Sequence, residues 1–321
     1  MTRTPSVLER RLVVVTGKGG VGKTTIAAAL GLAAAERGLR TIVVELGDQR
    51  RLPALWANAS QREDGRSSKR SDAGEEASLG ENLWSVTIDP DRALLEWLQA
   101  LGGRVPGRVL AGSGTFQYFA AAAPGAKELV SMVKVWELTR GAERWRRRAG
   151  SYDLVVLDAP ATGHALGLLH SPRTFGAIAR VGPIFGQAER VRDLLEDEAQ
   201  TGYLAVTQAS DMAVGETLDL REGLRSQLDV ELDAAIVNAT LPHRFDNSEL
   251  RQIAGLEDSG AVARAASRTA RTVHERARVQ HNQIARLRRQ GVIAHTVPFV
   301  FTPALDLEAV RRIGRRLAER V

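Results

Sequence analysis

A glycine-rich segment near the start of the chain contains the residue types that can bind the phosphates of a nucleotide. Residues 17–24 read GKGGVGKT, which matches the phosphate-loop pattern G-x-x-x-x-G-K-[ST]. Glycines let backbone N–H groups converge on phosphate oxygens, and the N-terminus of a following helix adds partial positive charge. In this pattern the lysine reaches the β- and γ-phosphates, while the threonine hydroxyl ligates Mg²⁺. We therefore predict a site for ATP or ADP with Mg²⁺, formed by Gly17, Lys18, Gly19, Gly20, Val21, Gly22, Lys23, Thr24 and Thr25.

A carboxylate that could complete this site lies far along the chain. Residues 152–158 read YDLVVLD, an apolar strand pattern that ends on Asp158. If this strand runs beside the phosphate loop, Asp158 holds Mg²⁺ directly or through water. The alternative is an aspartate that only caps the loop after its strand.

The elements that must position these residues alternate between strand and helix. Residues 11–16 have a strand pattern, the alanine-rich residues 24–37 a helix pattern, and residues 40–45 a second strand pattern, which together form a βαβ unit. Further strand patterns, mostly separated by helical stretches, lie at residues 83–88, 152–158, 202–208, 233–238 and 292–297. We therefore predict an α/β fold with a doubly wound, mostly parallel sheet of about seven or eight strands, in a single domain over residues 1–321.

Two stretches depart from this alternation. Residues 57–82 contain a single large apolar residue, Leu79, and charges of both signs, so we expect a polar, mobile surface loop. Residues 91–149 have helical patterns interrupted by glycine and proline, and we expect them to form a helical subdomain inserted between sheet strands.

Lys18 and the residues after Asp158 indicate which class of phosphate-loop protein this sequence resembles. The segment KGGVGKTT at 18–25 resembles the deviant phosphate loop of the signature-lysine ATPases. These include ArsA-type anion-pump, tail-anchored-protein targeting, and Min- and Par-type positioning ATPases. DAPATGH at 158–164 resembles the D-x-x-P-T-G-H switch of the first two families, with the proline one place early. The chain is most similar to bacterial ArsA-like ATPases with one phosphate loop per chain.

That resemblance implies roles for several side chains. Lys18 would cross a dimer interface to the partner's nucleotide, where a flexible ammonium neutralises charge, although a solvated lysine is the alternative. Asn238 falls where the family places an adenine-recognising asparagine, and an amide offers both a donor and an acceptor. Pro298 and Phe299 fall in the segment that lines the pocket for the nucleotide base in this family, although core packing also explains both residues. His164 either contacts phosphate or braces the switch helix.

The resemblance breaks at the end of the second strand. The family has S-T-D-P-A-H there, with an aspartate that positions the attacking water, whereas residues 45–50 of this chain read ELGDQR. Gly47 takes the place of that aspartate, and Asp48 follows it. We assign Asp48 as the water-orienting residue, add Lys18, Lys23 and Asp158 as the other catalytic residues, and expect slow hydrolysis of ATP. A protein that binds ATP without cleaving it is the alternative.

Composition excludes several kinds of site. The chain has no cysteine, which excludes thiolate zinc sites, iron–sulfur clusters and thiol-based export of arsenite or antimonite. The chain has no apolar run of the ~18 residues that span a bilayer and no secretory signal, so we expect it in the cytoplasm. The net charge is +6, but the arginines of residues 262–290 have no aromatic residues between them, so a solvated helix face is favoured and nucleic acid is not expected as a partner.

The C-terminal residues 306–321 have a basic amphipathic helix pattern, which fits docking on the sheet or peripheral contact with the inner face of a membrane. We expect a switch ATPase that works as a homodimer, or as a heterodimer with a similar chain. Its helical subdomain would couple the nucleotide state to an unidentified client protein or membrane partner. The alternatives are a Min- or Par-type positioning ATPase on membrane or DNA, and a non-hydrolysing regulatory subunit.

Overall fold

The computed structural model describes residues 6–47, 52, 53, 56, 74–101, 125–140, 152–179, 183–256, 260–302 and 305–321. Within these ranges we number eight strands and nine α-helices in chain order. The strands are β1 (Leu12–Gly17), β2 (Thr41–Leu46), β3 (Ala77–Gly80), β4 (Leu83–Ile88), β5 (Leu154–Ala161), β6 (Thr201–Gln208), β7 (Ala234–Thr240) and β8 (Ala294–Pro298). The helices are α1 (Lys23–Glu36), α2 (Pro90–Leu101), α3 (Ala126–Thr139), α4 (Thr162–Ala179), α5 (Pro183–Glu196), α6 (Asp211–Leu228), α7 (Asn247–Gly255), α8 (Ala261–Arg289) and α9 (Leu307–Ala318).

The strands form one sheet in the order β3-β4-β2-β5-β1-β6-β7-β8, and every pairing except β3 with β4 is parallel. Alternate residues of β1 enter two separate core clusters, Leu12 and Val14 on one face and Val13 and Val15 on the other. A parallel sheet needs such cover on both faces, which explains the uninterrupted apolar strands. The predicted α/β fold is confirmed.

The edge strand β3 lies inside the segment that we expected to be a polar loop, residues 57–82. Residues 77–80 pair antiparallel with β4, and Asn82 in the connecting turn has a φ of +56°, a left-handed conformation that asparagine tolerates. The large apolar residue of that segment, Leu79, packs against the core cluster on the α1 side of the sheet. Residues 57–73 lie outside the described part of the chain, so the loop prediction is untested there.

Helices α2 and α3 lie in the range predicted as a helical subdomain, 91–149. They contact each other through an ion pair between Lys134 and Glu96 at 3.4 Å, and Trp97 of α2 donates a hydrogen bond to Gln187 of α5 at 2.6 Å. Leu129 and Met132 of α3 are fully buried in the same core cluster as the strands. The described helices of the insert therefore share the core of the sheet.

The C-terminal helix α9 docks on α1. Val310, Ile313 and Leu317 are buried there, and a Cβ built on Gly314 would lie 2.4 Å from the carbonyl oxygen of Ala29. The apolar face of α9 is thus used inside the fold, which favours the docking alternative over membrane contact through this face. Among the described helices, none combines the length and apolar character that a bilayer span requires.

We expect Gly314→Ala to lower the free energy of unfolding by about 1–3 kcal/mol, because an added methyl group must push two packed helices apart. The matched control is Gly215→Ala in α6, where an added Cβ meets no atom within 4 Å. That change should be neutral or stabilise by up to about 1 kcal/mol, since alanine favours a helix over glycine. Urea denaturation followed by circular dichroism measures both, and equal stabilities would contradict the close packing of α9 on α1.

Candidate nucleotide site

The predicted phosphate loop lies at the carboxyl end of β1, which runs between β5 and β6 in the middle of the sheet. β1 ends at Gly17 and α1 begins at Lys23. Gly22 is the N-cap of α1, and as a glycine it provides no side-chain cap for this helix end. Free N–H groups at a helix N-terminus, beside the carboxyl ends of parallel strands, form a ready site for an anion.

The glycines of the loop differ in how closely other parts of the protein approach them. A Cβ on Gly17 would lie 2.0 Å from the carbonyl oxygen of Val206, and one on Gly22 would lie 2.4 Å from the side-chain nitrogen of Asn238. Both also have positive φ angles, +138° and +97°. A Cβ on Gly19 or Gly20 would meet no atom of the described residues within 4 Å. Protein neighbours therefore require glycine at two of these positions, and at the other two the described residues leave space over the loop.

The hydroxyl of Thr24 joins the loop to β5. Its Oγ1 donates a hydrogen bond to Oδ2 of Asp158 at 2.6 Å. The contact arises because β1 and β5 are adjacent, with Val15 in register with Asp158. A second bond of the same kind, from Thr16 Oγ1 to the carbonyl oxygen of Pro160 at 2.9 Å, holds the two strand ends together. The structure thus brings together the two residues predicted to ligate Mg²⁺.

The two lysines of the loop have different partners. The Nζ atom of Lys23 donates to the carbonyl oxygen of Lys18 at 3.2 Å, across the turn of the loop. The Nζ atom of Lys18 forms an ion pair with Glu216 of α6, and both side chains are about one-third exposed. Sequence reasoning missed Glu216, because a contact across 198 positions leaves no local signal.

Asn238 braces the loop from β7. Its Nδ2 donates to the carbonyl oxygen of Val21 at 2.9 Å, and its Oδ1 accepts from the backbone N–H of Ala239 at 2.8 Å. Val21 itself is buried in the core cluster under α1. Each bond uses one of the two hydrogens or one of the two lone pairs of the amide, so one of each is left for a ligand.

A groove of about 1100 Å³ opens between α8 and the carboxyl ends of β7 and β8, and it is lined from β7 by Ala239, with Asn238 absent from its described lining. Its lining includes Ala209, Ala239, Pro242, Phe245, Phe299 and Phe301. Phe299 is 46% exposed, which contradicts core packing as its role, and its ring lies edge-on to that of Phe301 at 4.8 Å. Pro298 is exposed at the end of β8 and is absent from the described lining of the groove.

The switch residues lie where β5 meets α4. Thr162 and the exposed His164 occupy the first turn of α4, and the hydroxyl of Thr162 is buried without a hydrogen-bond partner among the described residues. Asp48 lies outside the described residues, so its assignment is untested. Sequence reasoning missed Glu45, a carboxylate at the end of β2 that is only 3% exposed.

Comparisons with known proteins show the family to which the chain belongs. The family model described as Anion-transporting ATPase matches residues 10–182, just over half of the chain, including the phosphate loop and the switch. ATPase BagA of Mycobacterium tuberculosis is 30% identical over 263 residues, 81% of this chain and 74% of BagA. ATPase ARSA1 of Chlamydomonas reinhardtii is 26% identical over 78% of this chain and 38% of its own length. ATPase GET3 of Chaetomium globosum is 27% identical over 57% of this chain and 50% of its own length. The chain therefore belongs to the anion-transporting ATPase family.

Proposed function

We propose that this chain binds Mg²⁺-ATP at the phosphate loop, hydrolyses it slowly, and uses the nucleotide to control its association with a second subunit. The observation that carries the proposal is the hydrogen bond of 2.6 Å between Thr24 and Asp158. It brings a hydroxyl and a carboxylate side by side at the N-terminus of α1, where the phosphates of a nucleotide would also bind.

These residues fit a magnesium ion. Among the described residues, no group of three His, Asp or Glu side chains is arranged to hold a metal. Mg²⁺ suits such a site, because it takes one or two protein ligands and completes its octahedron with phosphate oxygens and water. When bound, Mg²⁺ would neutralise charge on the β- and γ-phosphates. The buried hydroxyl of Thr162, four residues after Asp158, adds a polar group that has no hydrogen-bond partner among the described residues.

The groove lined by Ala239 is our candidate for the base, with Asn238 as the preceding residue of β7. One donor and one acceptor of the Asn238 amide remain after its contacts with Val21 and Ala239, which matches the edge of adenine. Phe299 lines this groove and offers an aromatic face for stacking. A contact between Pro298 and the base stays a prediction.

The dimer proposal rests on Lys18. Its ion pair with Glu216 must open before the lysine reaches a partner's nucleotide. Because both side chains are about one-third exposed, the pair contributes only about 0–1 kcal/mol and can exchange readily. Hydrolysis would transfer the γ-phosphoryl group to water without a covalent intermediate, so the protein's part is positioning and charge neutralisation. The cytoplasmic location, and the client or membrane partner of the helical insert, are predictions.

The test measures mass and turnover together. Light scattering after size exclusion should show a shift from monomer to dimer with Mg²⁺ and a non-cleavable ATP analogue. Phosphate release should show turnover below about 1 s⁻¹, the low end for enzymes. A chain without affinity for Mg²⁺-ATP would overturn the proposal, as would one that stays monomeric with the analogue, both alone and co-expressed with companion ATPase chains. Single-turnover assays with excess protein distinguish slow hydrolysis from none.

A further inference from the structure

A row of polar side chains crosses the sheet next to the phosphate loop. Glu45 of β2 is in register with Asp158 of β5 on one side and with Thr87 of β4 on the other. Residues in register on neighbouring parallel strands project to the same face, and such strands lie about 4.8 Å apart. Glu45 and Asp158 are therefore adjacent carboxylates.

This row faces the helix of the phosphate loop. Val43, two residues before Glu45, and Val156, two residues before Asp158, both belong to the core cluster built around α1. Side chains alternate along a strand with a period of two, so Glu45 and Asp158 point to the same side of the sheet as α1. Thr24 of α1 donates its hydrogen bond to Asp158 on this side.

The burial of Glu45 adds an electrostatic reason for a cation nearby. Its side chain is 3% exposed, and the backbone N–H of Leu52 lies 3.3 Å from each of its carboxylate oxygens. A buried carboxylate is costly, and a second carboxylate on the neighbouring strand adds like-charge repulsion. A divalent cation beside the pair lowers that repulsion, whatever other contacts Glu45 makes.

We propose that Glu45 is a second carboxylate of the Mg²⁺ site and accepts hydrogen bonds from water bound to the ion. The inference rests on the proposed function, because it adds a residue to the same nucleotide site.

The experiment compares binding of a fluorescent ATP analogue in Mg²⁺ and in EDTA. Glu45→Gln keeps an acceptor for the Leu52 N–H but removes the charge. We expect its affinity in Mg²⁺ to fall about 10-fold, as for other residues that orient metal-bound water, with unchanged affinity in EDTA. The control is Asp153→Asn, which removes a carboxylate just before the amino end of β5, where it accepts from the backbone N–H of Arg40 at 2.9 Å. That variant should keep the parent's response to Mg²⁺.

Each outcome decides the inference. A parent-like response of Glu45→Gln to Mg²⁺ would overturn it, and so would an equal loss of affinity in Mg²⁺ and EDTA, which indicates a purely structural role. If thermal melting shows that Glu45→Gln is unfolded, the same binding experiment is done with Glu45→Asp. This variant keeps the carboxylate charge on a shorter side chain. A smaller Mg²⁺ effect then supports the inference, and a parent-like one overturns it. A parent chain that does not bind Mg²⁺-ATP contradicts the proposed function itself.

Discussion

Lys18→Ala should reduce ATP hydrolysis by about 10³-fold or more, the effect of removing a cation that a partner inserts into a phosphoryl-transfer site. Binding of ATP to the free chain should change little, because Lys18 pairs with Glu216 there. Lys23→Ala should be equally inactive, since we propose that this lysine binds the phosphates of the nucleotide on its own chain. Phosphate release by each purified variant measures both effects.

Mixing the two variants tests whether Lys18 acts on the partner's nucleotide. In a mixed dimer, the Lys18→Ala subunit keeps an intact phosphate loop and receives Lys18 from the Lys23→Ala subunit. Half of the dimers are mixed and each has one complete site of two, so an equimolar mixture should recover about a quarter of the parent rate. A mixture no more active than its components would show that Lys18 does not work across the interface. Lys134→Ala, which removes a half-buried lysine of α3 that pairs with Glu96 of α2, is the charge-matched control and should keep parent activity.

Asp158→Asn should lower turnover about 10²- to 10³-fold, because an amide keeps the hydrogen bond with Thr24 but loses the charge that we propose acts on the metal ion. Charge stabilisation by a metal is worth several kcal/mol in such reactions. Affinity for ATP in EDTA should stay at the parent level. Measuring turnover against Mg²⁺ concentration separates weaker metal binding from slower chemistry.

Thr24 provides the matched pair for this prediction. Thr24→Ser keeps the hydroxyl and should stay near the parent rate, whereas Thr24→Val should resemble Asp158→Asn. Since the two side chains are hydrogen-bonded at 2.6 Å, their effects should be less than additive in the double variant. If Asp158→Asn keeps full turnover, Asp158 is not part of the magnesium site.

Local patterns in the sequence were sufficient to predict most of the fold. Seven of the eight described strands were predicted within a few residues of their observed bounds, because buried parallel strands are short apolar runs. The edge strand β3 was missed, since an edge strand needs one paired neighbour and little apolar character. Its turn at Asn82 is the local signal that could have revealed it.

The sequence by itself determined the phosphate loop, its strand–helix setting and the family, because glycines, a lysine and a threonine at fixed spacing must occupy one turn. Only the tertiary structure decided which distant groups meet that turn. In the folded chain Asp158 is hydrogen-bonded to Thr24, Glu216 pairs with Lys18, and Asn238 is hydrogen-bonded to Val21. The order of the strands and the packing of α6 on the sheet create these contacts, and neither is encoded in a local pattern. The same holds for Glu45, whose burial beside Asp158 follows from the pairing of β2 with β5.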